Sequence, residues 1–448
     1  MHHNYRVLIV DDDGGVIDRA HLSCPNDEAA KERARHLASD GQAVELWDGP
    51  RRIAIATERR TTQANVRSRS SCVDSVDIVH DLAAAETVWR SLESSNHSPF
   101  QRFGFLAAWQ REVGERAGLS PFLVIARDGD GQPLGLLPLA LQTVLGVRCA
   151  SFMGGTHSTF NMGLWQREFA ATATEHDLRA LMAMLAARDE VDVLALRRQP
   201  TYWRDLRNPL TLLPHEPSTV HCLVRTIEPG AAAMSLNGKS LRRLPGKERK
   251  LQQLDGYRYH IASTDADITR LLDWFFRVKP QQLAKQKLPN RFAAPGVEQF
   301  IRAACMTKLA GGGHVIEIHA LECDEEVIAL CAGVADGHRF SVMFNTYTMS
   351  RKAKFSPTLI LVRDVIDHFA GQNYRTFDFG IGSQAYKLLF CKDDEPIFDS
   401  LIALNARGRL VAGAMSAVNS AKRLVKRNPA LLALAQSLRS KFPPAQIV

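Results

Sequence analysis

The chain has 448 residues, of which 45% are apolar and 23% charged, and carries a formal net charge of +8. That length exceeds what one ordinary core organises and the composition is that of folded globular chains, so disorder is excluded and two or three domains are expected. The positive balance favours an anionic partner without choosing among a nucleotide, a nucleic acid, an acidic glycan or a membrane face. The first residues are polar (MHHNYR), and no apolar run approaches the roughly eighteen residues that span a bilayer. The eight cysteines show neither a C-x-x-C pair nor zinc-type spacing. These features predict a cytoplasmic protein with reduced, buried thiols and no metal.

Residues 1–57 read as a small ββαβ-like α/β domain: YRVLIV, a DDDGG turn, VIDRAHL, a helix from Asp27 to Ser39, then VELWDG and RRIAIA. Acidic residues after a first strand suit a phosphorylated receiver domain that holds Mg²⁺. A receiver also needs an aspartate at the end of its third strand, whereas RRIAIA runs into Thr57 and Glu58, so Asp12, Asp13 and Gly14 are assigned to a hairpin turn. Residues 58–75 carry almost no large apolar side chain and form a linker.

A mixed α/β body starts near residue 76, and 76–229 form its N-terminal half. A helix spans Leu82 to Leu92, and Phe100, Phe103, Leu106 and Trp109 recur at helical spacing. The strands FLVIARD and LGLLPLALQ flank a turn at Gly129 to Gly131. RCASFMGG then leads to the loop THSTFNMG, followed by a helix from Thr174 to Ala187, the strand VDVLAL, and a Pro-rich passage from Pro200 to Pro229.

The C-terminal half, 230–407, opens on the basic segment KSLRRLPGKERKLQQL, broken at Pro245-Gly246. The strand YRYHIAS, the helix ITRLLDWFFRV, a loop and the helix VEQFIRAACMTKLA follow. Three strands come next (HVIEIHALE, EVIALCAGVAD, RFSVMFNTYT), then SRKAKFSP, the helix TLILVRDVIDHFAGQ and the strand YRTFDFGIG. Residues 408–448 form a helical tail whose paired basic residues and apolar stripe either dock on the body or touch an anionic membrane.

The order suits an acyl-CoA-dependent transferase. Unpaired N–H groups at a helix N-terminus receive phosphate, and here Ser356 caps and Pro357 occupies the first turn, with Arg351, Lys352 and Lys354 just before it. If YRTFDFGIG parts from RFSVMFNTYT, the gap between them admits a pantetheine arm, and Gly380 and Gly382 permit close backbone approach. Ser383 then caps a short helix bearing Tyr386 and Lys387.

From roughly residue 76 to 425 the chain resembles the bacterial CelD/BcsL-type proteins, a BioF2-like branch of the GCN5-related N-acetyltransferase (GNAT) superfamily. SPFQRFGFLAAW, GLLPLAL, GGTHSTFN, KSLRRLPGKERKLQQL and, most specifically, FDFGIGSQAYKLLF carry the likeness. The resemblance implies tandem GNAT-like halves, as in the FemABX-like transferases, with the acyl-CoA site in the C-terminal half and a link to exopolysaccharide or cellulose production. Thr358 stands where the residue after Ser-Pro is often glycine, and the ordinary Q/R-x-x-G-x-G/A phosphate loop is absent.

Acyl transfer from a thioester needs a base for the nucleophile, donors for the oxyanion and an acid for the thiolate. Tyr386 is the candidate acid, or else a tyrosine packed on the sheet; Asp378 is a base or substrate contact, or else a structural carboxylate. Arg351, Lys352, Lys354, Ser356, Thr358, Asn345 and Tyr347 are assigned to acyl-CoA, most simply acetyl-CoA. His157, Ser158 and Lys387 are assigned to the acceptor, with an ordinary turn and a solvated helix face as the alternative readings. The basic segment Lys239 to Lys250 lacks interleaved aromatics and reads as a solvated or interdomain face, so no specific nucleic acid is expected. The expected activity is transfer of an acyl group from CoA to an amine or hydroxyl of a small molecule or sugar precursor. The alternatives are a non-catalytic GNAT-like scaffold that binds a nucleotide or a polysaccharide-synthesis partner, and aminoacyl transfer from tRNA.

Overall fold

A computed structural model describes residues 3–10, 16–24, 26–35, 43–48, 51–57, 71–95, 97–227, 241–382, 384–391 and 393–427. The chain divides into two compact units, Met1–Ser70 and Ser71–Val448. In the first, β1 (His3–Val10), β2 (Val16–Cys24), β3 (Ala43–Asp48) and β4 (Arg51–Thr57) form an antiparallel sheet in the order β2-β1-β3-β4. One face of the sheet is apolar: Tyr5, Val7, Val44 and Leu46 bury with Ala30 and Ala34 of α1 (Asp27–Arg35). The unit is therefore ββαββ, and the turn assigned to Asp12, Asp13 and Gly14 lies outside the described residues.

The second unit is mixed α/β. Its first sheet contains β5 (Ser75–Val79), β6 (Ser120–Arg127), β7 (Pro133–Val144), β8 (Val147–Phe152) and β9 (Val193–Pro200). The seven consecutive buried residues of β7, Leu134–Ala140, reflect a strand covered on both faces. Against this sheet lie α2 (Leu82–Leu92), α3 (Phe103–Trp109) and α4 (Glu175–Ala187). Asp81 caps α2, and a reciprocal Thr174–Asp177 capping box starts α4.

The passage expected to be Pro-rich connection holds a strand, β10 (Cys222–Thr226), which serves the second sheet. Pro245-Gly246 does not break the basic segment. It opens α5 (Leu244–Leu251), because proline in a first turn forfeits no intrahelical bond. After β11 (Arg258–Ile261), α6 (Asp265–Lys285) runs through Pro280, well past the Val278 boundary that the sequence suggests. α7 (Val297–Met306), β12 (Glu317–Cys323), β13 (Glu326–Ala335), β14 (Arg339–Tyr347), α8 (Pro357–Gly371) and β15 (Thr376–Ile381) follow, and the second sheet has the order β11-β12-β13-β14-β15-β10.

Each sheet borrows a strand across the expected boundaries. β10 precedes the second half in sequence yet pairs with β15, and β16 (Ile397–Ala403) follows the second sheet yet pairs with β9 in the first. α9 (Ala406–Arg427) then packs on β16 and β9; residues 428–448 of the tail lie outside the described residues. One apolar cluster accordingly runs from Val73 to Phe398, with Phe105 of α3 edge-on to Phe300 of α7 at 5.2 Å. At this junction Gly296, with φ +79°, begins α7 so close to the π-helical turn Gln110–Gly114 that follows α3 that a Cβ would stand 1.8 Å from the Glu112 carbonyl oxygen. Gly296→Ala combines left-handed strain with a backbone clash and should lower stability by about 2–5 kcal/mol in urea unfolding.

Candidate active site

The site is built where β14 and β15 part. Their parallel pairing joins Arg339, Phe340 and Ser341 to Thr376, Phe377 and Asp378, and it stops there. Two local features turn the strands away from each other. Met343 is an extra residue in the β13–β14 register, since Val342 and Phe344 face the consecutive residues Gly333 and Ala332, and a bulge of this kind bends its strand. On the other strand Gly380 adopts φ +73°, and a Cβ there would stand 2.6 Å from the Val342 carbonyl oxygen.

Parting buried strands leaves backbone groups without their ladder, and each such group costs free energy unless another partner takes it. Asp378 and Lys387 supply those partners. Asp378 Oδ1 accepts the Gly380 N–H at 2.6 Å and the Cys222 thiol at 3.1 Å. Lys387 Nζ donates to the carbonyls of Gly380 and Ile381 at 3.0 and 3.1 Å. Both side chains are buried. Burial pushes the Lys387 amine down while the Asp378 charge opposes that shift, and burial followed by the Asp378 charge raises the Cys222 thiol. The geometry thus places both residues on the strand end itself.

Across the opening, Asn345 Nδ2 of β14 donates to the Tyr386 hydroxyl at 2.7 Å. Because that hydroxyl oxygen is an acceptor here, its own proton is directed elsewhere. Burial pushes Tyr386 well above the ordinary tyrosine range, outweighing the Asn345 bond, so the proton stays on at neutral pH. The short helix expected here is a single 3₁₀ turn, Lys387–Leu389, with Tyr386 at its N-cap, and Ser383 is outside the described residues.

Lys279 Nζ donates to the Asn345 carbonyl at 2.8 Å and to Gln282 Oε1 at 3.3 Å, and no carboxylate pairs with it among the described residues. Burial lowers its pKa to about 8. The sequence reading missed this lysine because Pro280 signals a helix end; the chain instead keeps its helical path and turns Lys279 toward β14.

At the start of α8, Ser356 sits at φ +59° with no side-chain cap bond, correcting the expected cap. A left-handed N-cap turns the hydroxyl away from the first amides, and its oxygen accepts from Lys247 Nζ at 2.7 Å. The Thr358 hydroxyl is buried with no partner among the described residues. Lys352 is held by Glu326 at 2.9 Å and Asp324 at 3.1 Å, Lys354 lies over the Phe355 ring, and Arg351 is exposed. Tyr347 packs, half-buried, on the apolar cluster beneath α8. In the basic segment Arg242, Arg243, Arg249 and Lys250 are exposed, while Leu241, Leu244 and Leu251 are buried and Glu248 pairs with Arg363 of α8 at 2.7 Å.

The loop 154–161 of the first half approaches the same opening, with Thr159 Oγ1 at 3.7 Å from the Cβ position of Gly380. His157 accepts from Trp109 Nε1 at 3.1 Å; burial, then the charges of Arg198 and Arg291, lower its pKa to about 4. Ser158 is buried, and its hydroxyl faces Gly154.

Residues 238–388 match the family model described as acetyltransferase (GNAT) domain. That span runs from α5 to the Tyr386 turn and so contains the parted strands, Lys279 and the start of α8. No curated protein matches the chain in sequence. Among solved structures, the C-terminal domain of a putative lysylphosphatidylglycerol synthetase from Agrobacterium fabrum is 12% identical with a TM-score of 0.46, covering 75% of this chain and 96% of that one. FemX is 10% identical with a TM-score of 0.46, covering 73% and 97%. A tandem GNAT protein from the clavulanic acid biosynthesis pathway is 11% identical with a TM-score of 0.36, covering 74% and 99%. Among the described residues no helix is long and apolar enough to cross a membrane.

Lys387→Met removes the donor to two buried carbonyls while keeping an unbranched apolar stem. It should cost about 1–3 kcal/mol of unfolding free energy, measured in urea, with the native far-UV circular dichroism retained.

Proposed function

We propose that the protein transfers an acyl group from an acyl-CoA thioester directly to an amine or hydroxyl of a bound acceptor. The observation that carries this reading is the opening between β14 and β15, walled on one side by Asn345 and on the other by Tyr386. Its rim offers a fit for the CoA diphosphate. Lys247 reaches Ser356 at the start of α8, the Thr358 hydroxyl in the first turn has no partner among the described residues, and the positive end of the helix dipole there favours an anion. Acyl-CoA supplies an activated acyl carbon and a thiolate leaving group.

The residues around the opening divide the proton transfers. Lys279 in its neutral form keeps two N–H donors for Asn345 and Gln282 and has a lone pair left to take a proton from the acceptor as the new bond to the acyl carbon forms. Tyr386 gives its proton to the sulfur as the carbon–sulfur bond breaks, and Asn345 holds the hydroxyl for that donation. Acetyl is the simplest donor group, and a sugar precursor, as the CelD/BcsL resemblance implies, is the acceptor class to test first.

Isothermal titration tests the donor. CoA should bind the wild type, and Lys247→Ala should weaken that binding about tenfold, whereas absence of binding to the wild type overturns the reading. With an acceptor in hand, Tyr386→Phe should lower kcat by about 10²-fold or more while leaving acetyl-CoA affinity unchanged. The rate should rise with pH through about 8, as Lys279 loses its proton. Lys279→Met should flatten that limb.

A further inference from the structure

Arg198 and the turn that carries Arg291 flank the opening: Arg198 holds loop 154–161, and Phe292, next to Arg291, meets Phe344, the neighbour of Asn345 in β14, with ring centres 6.3 Å apart. β9 carries an irregularity between Leu196 and Gln199 that makes room for Arg197 and Arg198, and Arg198 sits at φ +60°. A left-handed conformation at a branchless but bulky residue persists only where surrounding contacts hold it, and such positions concentrate at functional sites. Here Asp399 accepts the Arg198 backbone N–H at 2.8 Å, and the guanidinium donates to the carbonyls of Thr156 and Ser158 at 3.1 and 3.3 Å.

Arg291 comes from the other half, in the turn Arg291–Ala293 that Phe292 anchors against Phe275 at 5.1 Å. It is exposed, and its side chain has no hydrogen-bond or ion-pair partner among the described residues. The same holds for the Arg197 side chain. The charges of Arg291 and Arg197 both oppose that of Arg198, and Asp399 is the carboxylate that acts against them. Like charges carried by unrelated elements repel each other, and an anion between them relieves that repulsion.

Thr156 and Ser158, whose carbonyls Arg198 holds, lead directly into Thr159, beside Gly380. We propose that Arg198 and Arg291 bind a phosphate or carboxylate group of the acceptor, and so present its nucleophile to the opening between β14 and β15. This assignment names the acceptor chemistry for the acyltransferase reading and rests on it. Guanidinium groups suit both oxyanions because their forked donors match two acceptor oxygens. Neutral His157, edge-on to the Phe300 ring at 6.0 Å, is acted on by both arginine charges and adds nothing to their repulsion.

The test is calorimetric titration of inorganic phosphate and of succinate into protein saturated with CoA, at low ionic strength. At least one of the two should bind the wild type with Kd on the order of 1 mM and bind Arg291→Ala about tenfold more weakly, with CoA affinity equal in both proteins. Phosphate alone points to a phosphorylated acceptor, and succinate alone to a carboxylate one. Arg291 makes no structural bond, so this variant should keep the wild-type melting temperature; Arg111→Ala, which removes a surface arginine paired with Glu112, serves as the charge control and should bind like the wild type. Equal binding to wild type and Arg291→Ala, or no binding of either anion to the wild type, overturns the proposal. If CoA itself does not bind, the transferase reading fails separately. The same titrations without CoA then still decide whether Arg291 holds an anion.

Discussion

The structure depends on how two neighbouring strands can separate inside a folded protein. A parallel pair with both faces covered normally keeps its ladder, because buried N–H and C=O groups without partners are expensive. β14 and β15 stop pairing after Asp378, and the chain meets the cost with two buried side chains of opposite charge. Asp378 takes the Gly380 amide, and Lys387 takes the next two carbonyls. Gly382 N–H donates to the His221 carbonyl, so the strand end is satisfied by its own flank and by β10 rather than by β14. Gly380 makes the turn possible because its left-handed conformation places hydrogen where a methyl group would meet the Val342 carbonyl.

Separation then exposes chemistry that the ladder would have covered. Asn345 lies four residues beyond the last paired residue of β14, and Tyr386 six beyond Gly380, so the two meet across the opening. The same asparagine receives Lys279 on its carbonyl. One residue thereby positions a tyrosine that keeps its proton and a lysine that titrates near neutrality, and burial is the first cause of both shifts. The exchange of strands between the sheets has a related effect. Because β10 flanks β15 and β16 flanks β9, the strand end, loop 154–161 and the Arg291 turn belong to one continuous packed body.

Several expectations met a competing force. Lys352 is assigned to the diphosphate with Arg351 and Lys354 by its place before α8, but the hairpin between β12 and β13 sets Asp324 and Glu326 against it, and a paired ammonium has less charge to offer a ligand. The proposed diphosphate contact is instead Lys247, and nothing in its local sequence distinguishes it from its basic neighbours. Asp378 and Lys387 read from the sequence as chemistry-bearing residues, yet Asp378 holds the Gly380 amide two residues on and the Cys222 thiol, and Lys387 holds the backbone carbonyls seven and six residues back. Ser356 has the residue type of a cap and the wrong backbone conformation for one.

Local chemistry determined much on its own. Alternating and continuous apolar runs specify β6, β7, β12, β13, β14 and β15; Asp81 and Thr174 mark helix starts; and Gly-Ile-Gly marks a strand that must end abruptly. Those signals reside within a few residues, where backbone sterics and side-chain periodicity act. Tertiary structure alone decided that Cys222–Thr226 and Ile397–Ala403 trade sheets, that α6 continues through Pro280, and that Lys247 reaches Ser356, Lys279 reaches Asn345 and Arg198 reaches loop 154–161. Each of these is a contact between segments far apart in the chain, and its free energy comes from burial and charge that exist only after the segments have met.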